Sequence, residues 1–169
     1  DGNLEETGNT LDVALAGKGF FAISYADRNG VESVRYTRDG NFTMNAQGYL
    51  VTQDGDYVLG ERGRRIKLNT AEDISIDRDG NIYQAGANVG TLKITDFEDY
   101  NYLERYGENY FQTVDGAEEM DSEAEIHSGY LEMALGIPKA LGDIFGVALF
   151  AFTLGLGRTL YAKYGRNIT

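Results

Sequence analysis

The stretch TRDGNF occupies residues 37–42, and a near copy, DRDGNI, occupies 77–82. Both write Arg-Asp-Gly-Asn and then an apolar residue. The pattern has two physical readings. Asp-x-Asp-Gly-Asn resembles the start of a calcium loop, whereas Asp-Gly between alternating apolar residues is a hairpin turn. A helix–loop–helix calcium loop needs oxygen ligands at positions 1, 3, 5 and 12 around a glycine at position 6. With Gly80 at position 6, position 1 is Ser75 and position 12 is Gly86. The bidentate carboxylate is missing. Around Gly40, positions 1 and 3 are Arg35 and Thr37. Both copies fail as calcium loops. They are therefore expected to be type I′ hairpin corners, in which Asp-Gly supplies the positive φ angles.

Along the rest of the chain, turn signals recur about every eight residues, the rhythm of an antiparallel all-β domain. LDVALA (11–16) and GKGFFAISYA (17–26) read as a hairpin, with Gly17 and Gly19 flanking Lys18 as its turn. VESVRYT, NFTMN, YLVT, YVLG, RRIKL, DISI, NIYQ, TLKITDF and YFQTV read as further short strands, and order resumes with IHSGYLE at Ile126. DFEDYNYLERYG (96–107) reads as a short helical turn or irregular loop anchored by Leu103. DGAEEMDSEAE (115–125) is an acidic run, expected to be a solvated loop.

Composition narrows the function. The 169 residues carry a net charge of −12, with 22 Gly, 12 Tyr, one His and no Cys. Residues 1–132 hold 26 of the 27 acids and 11 of the 15 bases, a net of −15; residues 133–169 carry a net of +3. So acidic a body argues against nucleic acid as a partner. Without cysteine there are no disulfides, thiolate nucleophiles or Cys-ligated metals. His127 stands alone, with no motif around it. No phosphate-binding glycine loop occurs, because GLGRT and GKGFF match neither known pattern. Nothing singles out a carboxylate pair for catalysis. The expectation is a protein that is not an enzyme, with no catalytic residue, no metal, no cofactor and no small-molecule substrate. The chain opens DGNLEETGN, without the basic start and apolar run of a cleaved signal peptide.

Four blocks, ETGNTLDVALAGKGFF (6–21), YTRDGNF (36–42), GYLVTQDGDYVLG (48–60) and SGYLE (128–132), resemble the flagellar basal-body rod and hook family in wording, order and spacing. The resemblance covers residues 1–132. It is nearer to the rod proteins than to the hook protein, because the β region is compact with no long insertion, and among rod proteins it leans to the distal type. It implies a mainly β, antiparallel, hairpin-rich domain of the rod/hook type. It also implies a structural, polymer-forming subunit that assembles with other rod and hook subunits in the periplasm-spanning rod of the basal body. Export would proceed through the flagellar type III apparatus without a cleaved signal. The matching positions are Thr7, Gly8, Asn9, Leu11, Asp12, Gly17, Gly19, Phe20 and Phe21, then Tyr36, Thr37, Arg38, Asp39, Gly40 and Phe42, then Gly48, Leu50, Val51, Gly129, Tyr130, Leu131 and Glu132. By their chemistry they are turn glycines, a turn aspartate and core aromatics: fold determinants rather than a binding site.

The chain departs from the family twice. The sequence opens at the β domain, so the family's N-terminal helix is expected to be missing from it. After SGYLE, residues 133–169 replace the family's polar segment and long amphipathic helix. IFGVALFAFTLGLG (144–157) is uncharged and apolar all round, which predicts a helix; extended over about 140–162 it is long enough for a membrane span. GRTLYAKYGRNI resembles the end of a major-facilitator-type transporter helix. The tail is thus expected to be a foreign or membrane-spanning segment, the other reading being a buried C-terminal helix packed on the β domain. The alternative function is a membrane-anchored β domain used for recognition.

Overall fold

The computed structural model describes residues 2–133, of which Asn3–Glu132 forms one unit. The apolar helix expected over 140–162, and the transporter-like segment with it, lie outside the described residues. No helix among the described residues is long and apolar enough to cross a membrane.

The unit is built almost wholly of short antiparallel strands. In chain order they are β1 (Leu4–Glu6), β2 (Val13–Ala16), β3 (Phe20–Ala26), β4 (Glu32–Thr37), β5 (Thr43–Met44), β6 (Leu50–Val51), β7 (Tyr57–Val58), β8 (Ser75–Ile76) and β9 (Asn81–Gln84). They continue as β10 (Ala87–Thr91), β11 (Ile94–Phe97), β12 (Leu103–Tyr106), β13 (Tyr110–Thr113), β14 (Glu119–Asp121), β15 (Glu125–Ser128) and β16 (Tyr130–Glu132). The largest sheet has nine strands. Its main path runs β12-β13-β4-β3-β7-β6-β5, with β11 joining β3 and β14 joining β11. A three-stranded sheet, β10-β9-β8, and the pairs β1-β16 and β15-β2 complete the unit.

The strand β3 explains the core. Its run FFAISYA is apolar on both faces, as a strand covered on both sides must be. Phe21 and Ile23 enter one cluster with Val13, Leu15, Phe42, Leu50, Val58 and Ile126. Phe20 and Ala22 enter a second with Tyr36, Leu59 and Phe97. Phe21 meets the edge of Phe42 at 5.1 Å, and Tyr36 meets the edge of Phe97 at 4.9 Å.

Four corners of the sheets share one design. Asp27, Asn45, Thr52 and Asp77 each accept a hydrogen bond at their own side-chain oxygen from the amide four residues on. Each also accepts at its carbonyl from the amide of the glycine three residues on. Those glycines, Gly30, Gly48, Gly55 and Gly80, have φ between 83° and 92°. The left-handed turn residue is where glycine costs least.

Several expectations are corrected. The corner at 77–80 is a hairpin between β8 and β9, but only Gly80 is left-handed, so it is not type I′. A four-residue corner closes with one left-handed residue; a two-residue type I′ loop needs two. That two-residue loop exists at Ala85-Gly86, with φ of 52° and 79°, between β9 and β10. TRDGNF is not a hairpin corner at all. β4 and β5 do not pair, and Gly40 instead lies against β2, where Val13 N donates to Gly40 O at 3.0 Å. Nor do residues 11–16 and 17–26 form a hairpin. β2 pairs with β15, in register Leu15↔Ile126, so Gly17-Lys18-Gly19 is a crossover between sheets. RRIKL forms only isolated bridges, Leu59↔Arg65 and Tyr49↔Lys67. In 96–107 the expected short helical turn is present as a 3-10 turn, Tyr100–Tyr102, but Asp96 and Phe97 end β11 and Leu103–Tyr106 form β12. The acidic run 115–125 is not all loop, because β14 pairs with β11 inside it.

Candidate functional site

The motif blocks lie far apart in the chain, yet many of their residues meet at one corner centred on Arg38. Local chemistry turns the chain there. At the end of β4, Thr37 Oγ1 donates to Asn109 O at 2.7 Å and accepts from Asp39 N at 3.0 Å. Asp39 Oδ1 then accepts from Asn41 N at 3.2 Å. The two local bonds, at Asp39 and Asn41, lead the chain out of the sheet, while the bond to Asn109 ties the end of β4 to a distant segment.

The Arg38 guanidinium is thereby brought to the Gly17-Lys18-Gly19 crossover. Its Nη1 donates to Gly17 O and Gly19 O, both at 2.8 Å, and its Nη2 to Leu15 O at 3.3 Å. Its Nε donates to Glu132 Oε1 at 2.9 Å. The two side chains are only 23% and 17% exposed, so the pair is far less screened than a surface salt bridge. A planar fork of fixed donors suits this geometry, and a lysine ammonium would not span it. Gly17 and Gly19 have φ of 132° and 136°, and a Cβ on either would press on Ala124 or Ser122. The crossover can therefore be tight enough for both carbonyls to face one guanidinium.

The same corner gathers the first and last blocks. Thr7 N and Gly8 N donate to Gly129 O at 2.7 and 3.1 Å. Thr7 Oγ1 accepts from Asn9 N, and Asn9 Oδ1 accepts from Leu11 N, in two successive side-chain turns. Gly129 N donates to Asp12 O at 2.7 Å, and Ser128 Oγ to Thr10 O at 2.7 Å. β1 and β16 pair as Leu4↔Glu132, Glu5↔Leu131 and Glu6↔Tyr130. Asp12 bridges Asn41, beside Gly40. A Cβ on Gly40 would overlap the carbonyl oxygen of Val13. The position is glycine for close backbone approach, not for an unusual φ.

The other motif residues do not reach this corner. Phe20, Phe21, Phe42, Leu50 and Val51 are buried in the cores, and Gly48 is a hairpin corner. Tyr36 is buried too, and its hydroxyl donates to Glu119 Oε2 at 2.8 Å. Burial, reinforced by the Glu119 carboxylate, pushes its phenol well above the ordinary value. Two polar residues outside the motif blocks also hold the fold. Gln84 ties down the 69–72 loop through Asn69 N, Asn69 O and Glu72 O, and Tyr110 donates to Asp56 Oδ2 at 2.7 Å. Neither stands out in the sequence, where each is one more polar residue of an alternating strand.

What this arrangement does is mechanical. Arg38 braces the crossover, the outgoing end of β4 and the last strand together. His127 stands apart, with Glu125 at 3.6 Å and the Tyr130 ring at 6.1 Å. No group of three or more His, Asp or Glu side chains among the described residues is placed to hold a metal ion.

Comparison with known proteins agrees with a β unit of this kind. Residues 14–84 match the family model described as the flagellar hook protein FlgE/F/G D1 domain. The chain is 36% identical over 133 residues to the flagellar basal-body rod protein FlgF of Caulobacter vibrioides, covering 78% of this chain and 52% of that protein. It is 41% identical over 117 residues to the rod protein FlgG of Agrobacterium fabrum, covering 65% and 42%. To FlgG of Bacillus subtilis it is 33% identical over 144 residues, covering 77% and 53%. The chain spans about half the length of the curated relatives it matches. These similarities support the flagellar rod family.

Proposed function

We propose, from this kinship with the flagellar rod proteins, that the chain is a structural component of the basal-body rod and not an enzyme. Its β unit is the part that matches, and its partners are other rod and hook subunits. The observation that carries the reading is the similarity to rod proteins over 133 residues. The Arg38 corner supports it. The four resembling blocks are spent on turns, cores and one brace, as a load-transmitting scaffold needs. Pairing of β1 with β16 also puts the chain's entry and exit from the unit side by side. Segments flanking residues 4 and 132 would leave the unit from the same edge.

The finer parts of the proposal are a distal position in the rod and export without a cleaved signal. The site residues act as fold determinants, with residues 1–132 as the rod-type domain and 133–169 as a separate tail. The test is replacement of the β domain of a homologous rod protein with residues 4–132 of this chain. Rod assembly and swimming are expected. A hybrid that supports neither overturns the reading.

A further inference from the structure

The base-rich stretch ERGRRIKL (61–68) stands out in so acidic a body. Residues 1–132 carry 11 bases, and Arg62, Arg64, Arg65 and Lys67 are four of them within six residues. All four are exposed, while Ile66 and Leu68 between them are buried in the core. The buried pair pins the strip to the sheet, with Leu50 N donating to Ile66 O at 3.0 Å. Arg62 has φ of 63°, a left-handed backbone that costs a non-glycine residue energy and often marks a working surface.

The strip is combined with aromatic rings. Arg65 Cζ lies 3.8 Å from the Tyr57 ring centroid, and Lys67 Nζ lies 5.0 Å from that of Tyr49. The two rings meet edge to face at 5.4 Å. Half-exposed tyrosines stacked with a pre-positioned arginine are the composition of interface hot spots, because little side-chain freedom remains to be lost on docking. Arg65 already holds Glu32 at 2.7 Å, but Arg62 and Arg64 make no ion pair among the described residues.

The complementary surface is on the same chain. The segment 115–125 presents Asp115, Glu118 and Glu123 exposed and without ion pairs among the described residues. β14 fixes its middle on the open side of β11. Among the described residues, no ion pair links the strip to this segment.

We propose that the 62–67 strip, with Tyr49 and Tyr57, docks the acidic 115–125 segment of a second copy of this chain. Two different patches then meet, so the contact is head-to-tail and leaves a free patch at each end for the next copy. The partner's identity rests on the rod-subunit reading above; the surface does not.

The test is self-association of the full chain by sedimentation velocity, in ~0.05 M and ~0.5 M salt, where the screening length shortens severalfold. Two double variants are compared, Arg62→Glu with Arg64→Glu and Glu118→Lys with Glu123→Lys, each checked for an unchanged circular dichroism spectrum. The unaltered chain is expected to associate at low salt and to weaken at high salt. Each variant alone should associate at least about tenfold more weakly, from like charges placed across the contact. The two variants mixed should recover, since the reversed strips again attract. Association that is absent in the unaltered chain, insensitive to both variants, or not recovered in the mixture overturns the inference. A rod hybrid that still assembles while these results fail removes the docking surface and leaves the rod reading intact.

Discussion

Replacing Arg38 with alanine should be among the costliest changes of a charged residue in this unit. The guanidinium makes three short bonds, to Gly17 O, Gly19 O and Glu132 Oε1, at 2.8, 2.8 and 2.9 Å. A hydrogen bond to a charged group contributes about 1.5–3 kcal/mol in favourable cases. Simple addition would overshoot, because water reaches the partly exposed site after truncation and replaces some of the lost bonds. A net loss of about 3 kcal/mol is expected, near the lower end for breaking a buried pair. Arg38→Lys should recover about half, because one ammonium cannot serve both carbonyls and the carboxylate together. The assay is equilibrium unfolding in urea followed by circular dichroism. With a slope of about 1.5 kcal/mol per molar urea, Arg38→Ala lowers the midpoint by about 2 M. Arg65→Ala is the control. Its pair with Glu32 is 40% and 51% exposed, and exposed pairs contribute about 1 kcal/mol or less. The reasoning fails if Arg38→Ala and Arg65→Ala shift the midpoint equally.

Two further outcomes follow from the packing and the buried phenols. Gly40→Ala should abolish folding or cost more than about 3 kcal/mol, because the new methyl would occupy the space of Val13 O; a near-normal urea midpoint would show that β2 yields easily. Stability should also fall in alkali. Burial first, and then the Glu119 carboxylate, raise the phenol of Tyr36. Burial likewise raises Tyr110. The unfolded chain releases these protons near the ordinary value of 10.0, before the folded chain does. Stability is therefore fully present below pH 10 and declines above it, by at most about 1.4 kcal/mol per pH unit for each phenol. Urea midpoints measured across that range should drop, less so in Tyr36→Phe; a flat profile contradicts the assignment.

The sequence makes local chemistry legible and distant pairing almost invisible. The Asp-x-x-Gly and Asn-x-x-Gly corners are readable because the oxygen and the left-handed glycine are three residues apart. FFAISYA is readable as a strand because an apolar run of that length needs cover on both faces. Gly-Lys-Gly at 17–19 is not readable in the same way. Its residues suit a hairpin and a crossover equally, and the deciding partner, β15, lies over a hundred residues away. Arg38, Gly17, Gly19 and Glu132 are all conspicuous in their motifs, but nothing local shows that the last three supply its acceptors. β14 escapes notice for another reason. All three of its residues are exposed, so it has no apolar alternation to betray a strand.

The pairing of β1 with β16 also sets how the unit meets a pull. Tension applied through its two ends acts on Leu4 and Glu132, which face each other in the outermost pair. Force in that direction opens the strands one rung at a time, like a zipper, rather than shearing several rungs at once. Such a seam is weak, and only three residue pairs long. But the first rung is Glu132, the residue that Arg38 holds from the side. The brace thus sits at the one tooth where tearing would begin, and the two cores behind it bear strain only after that tooth has let go.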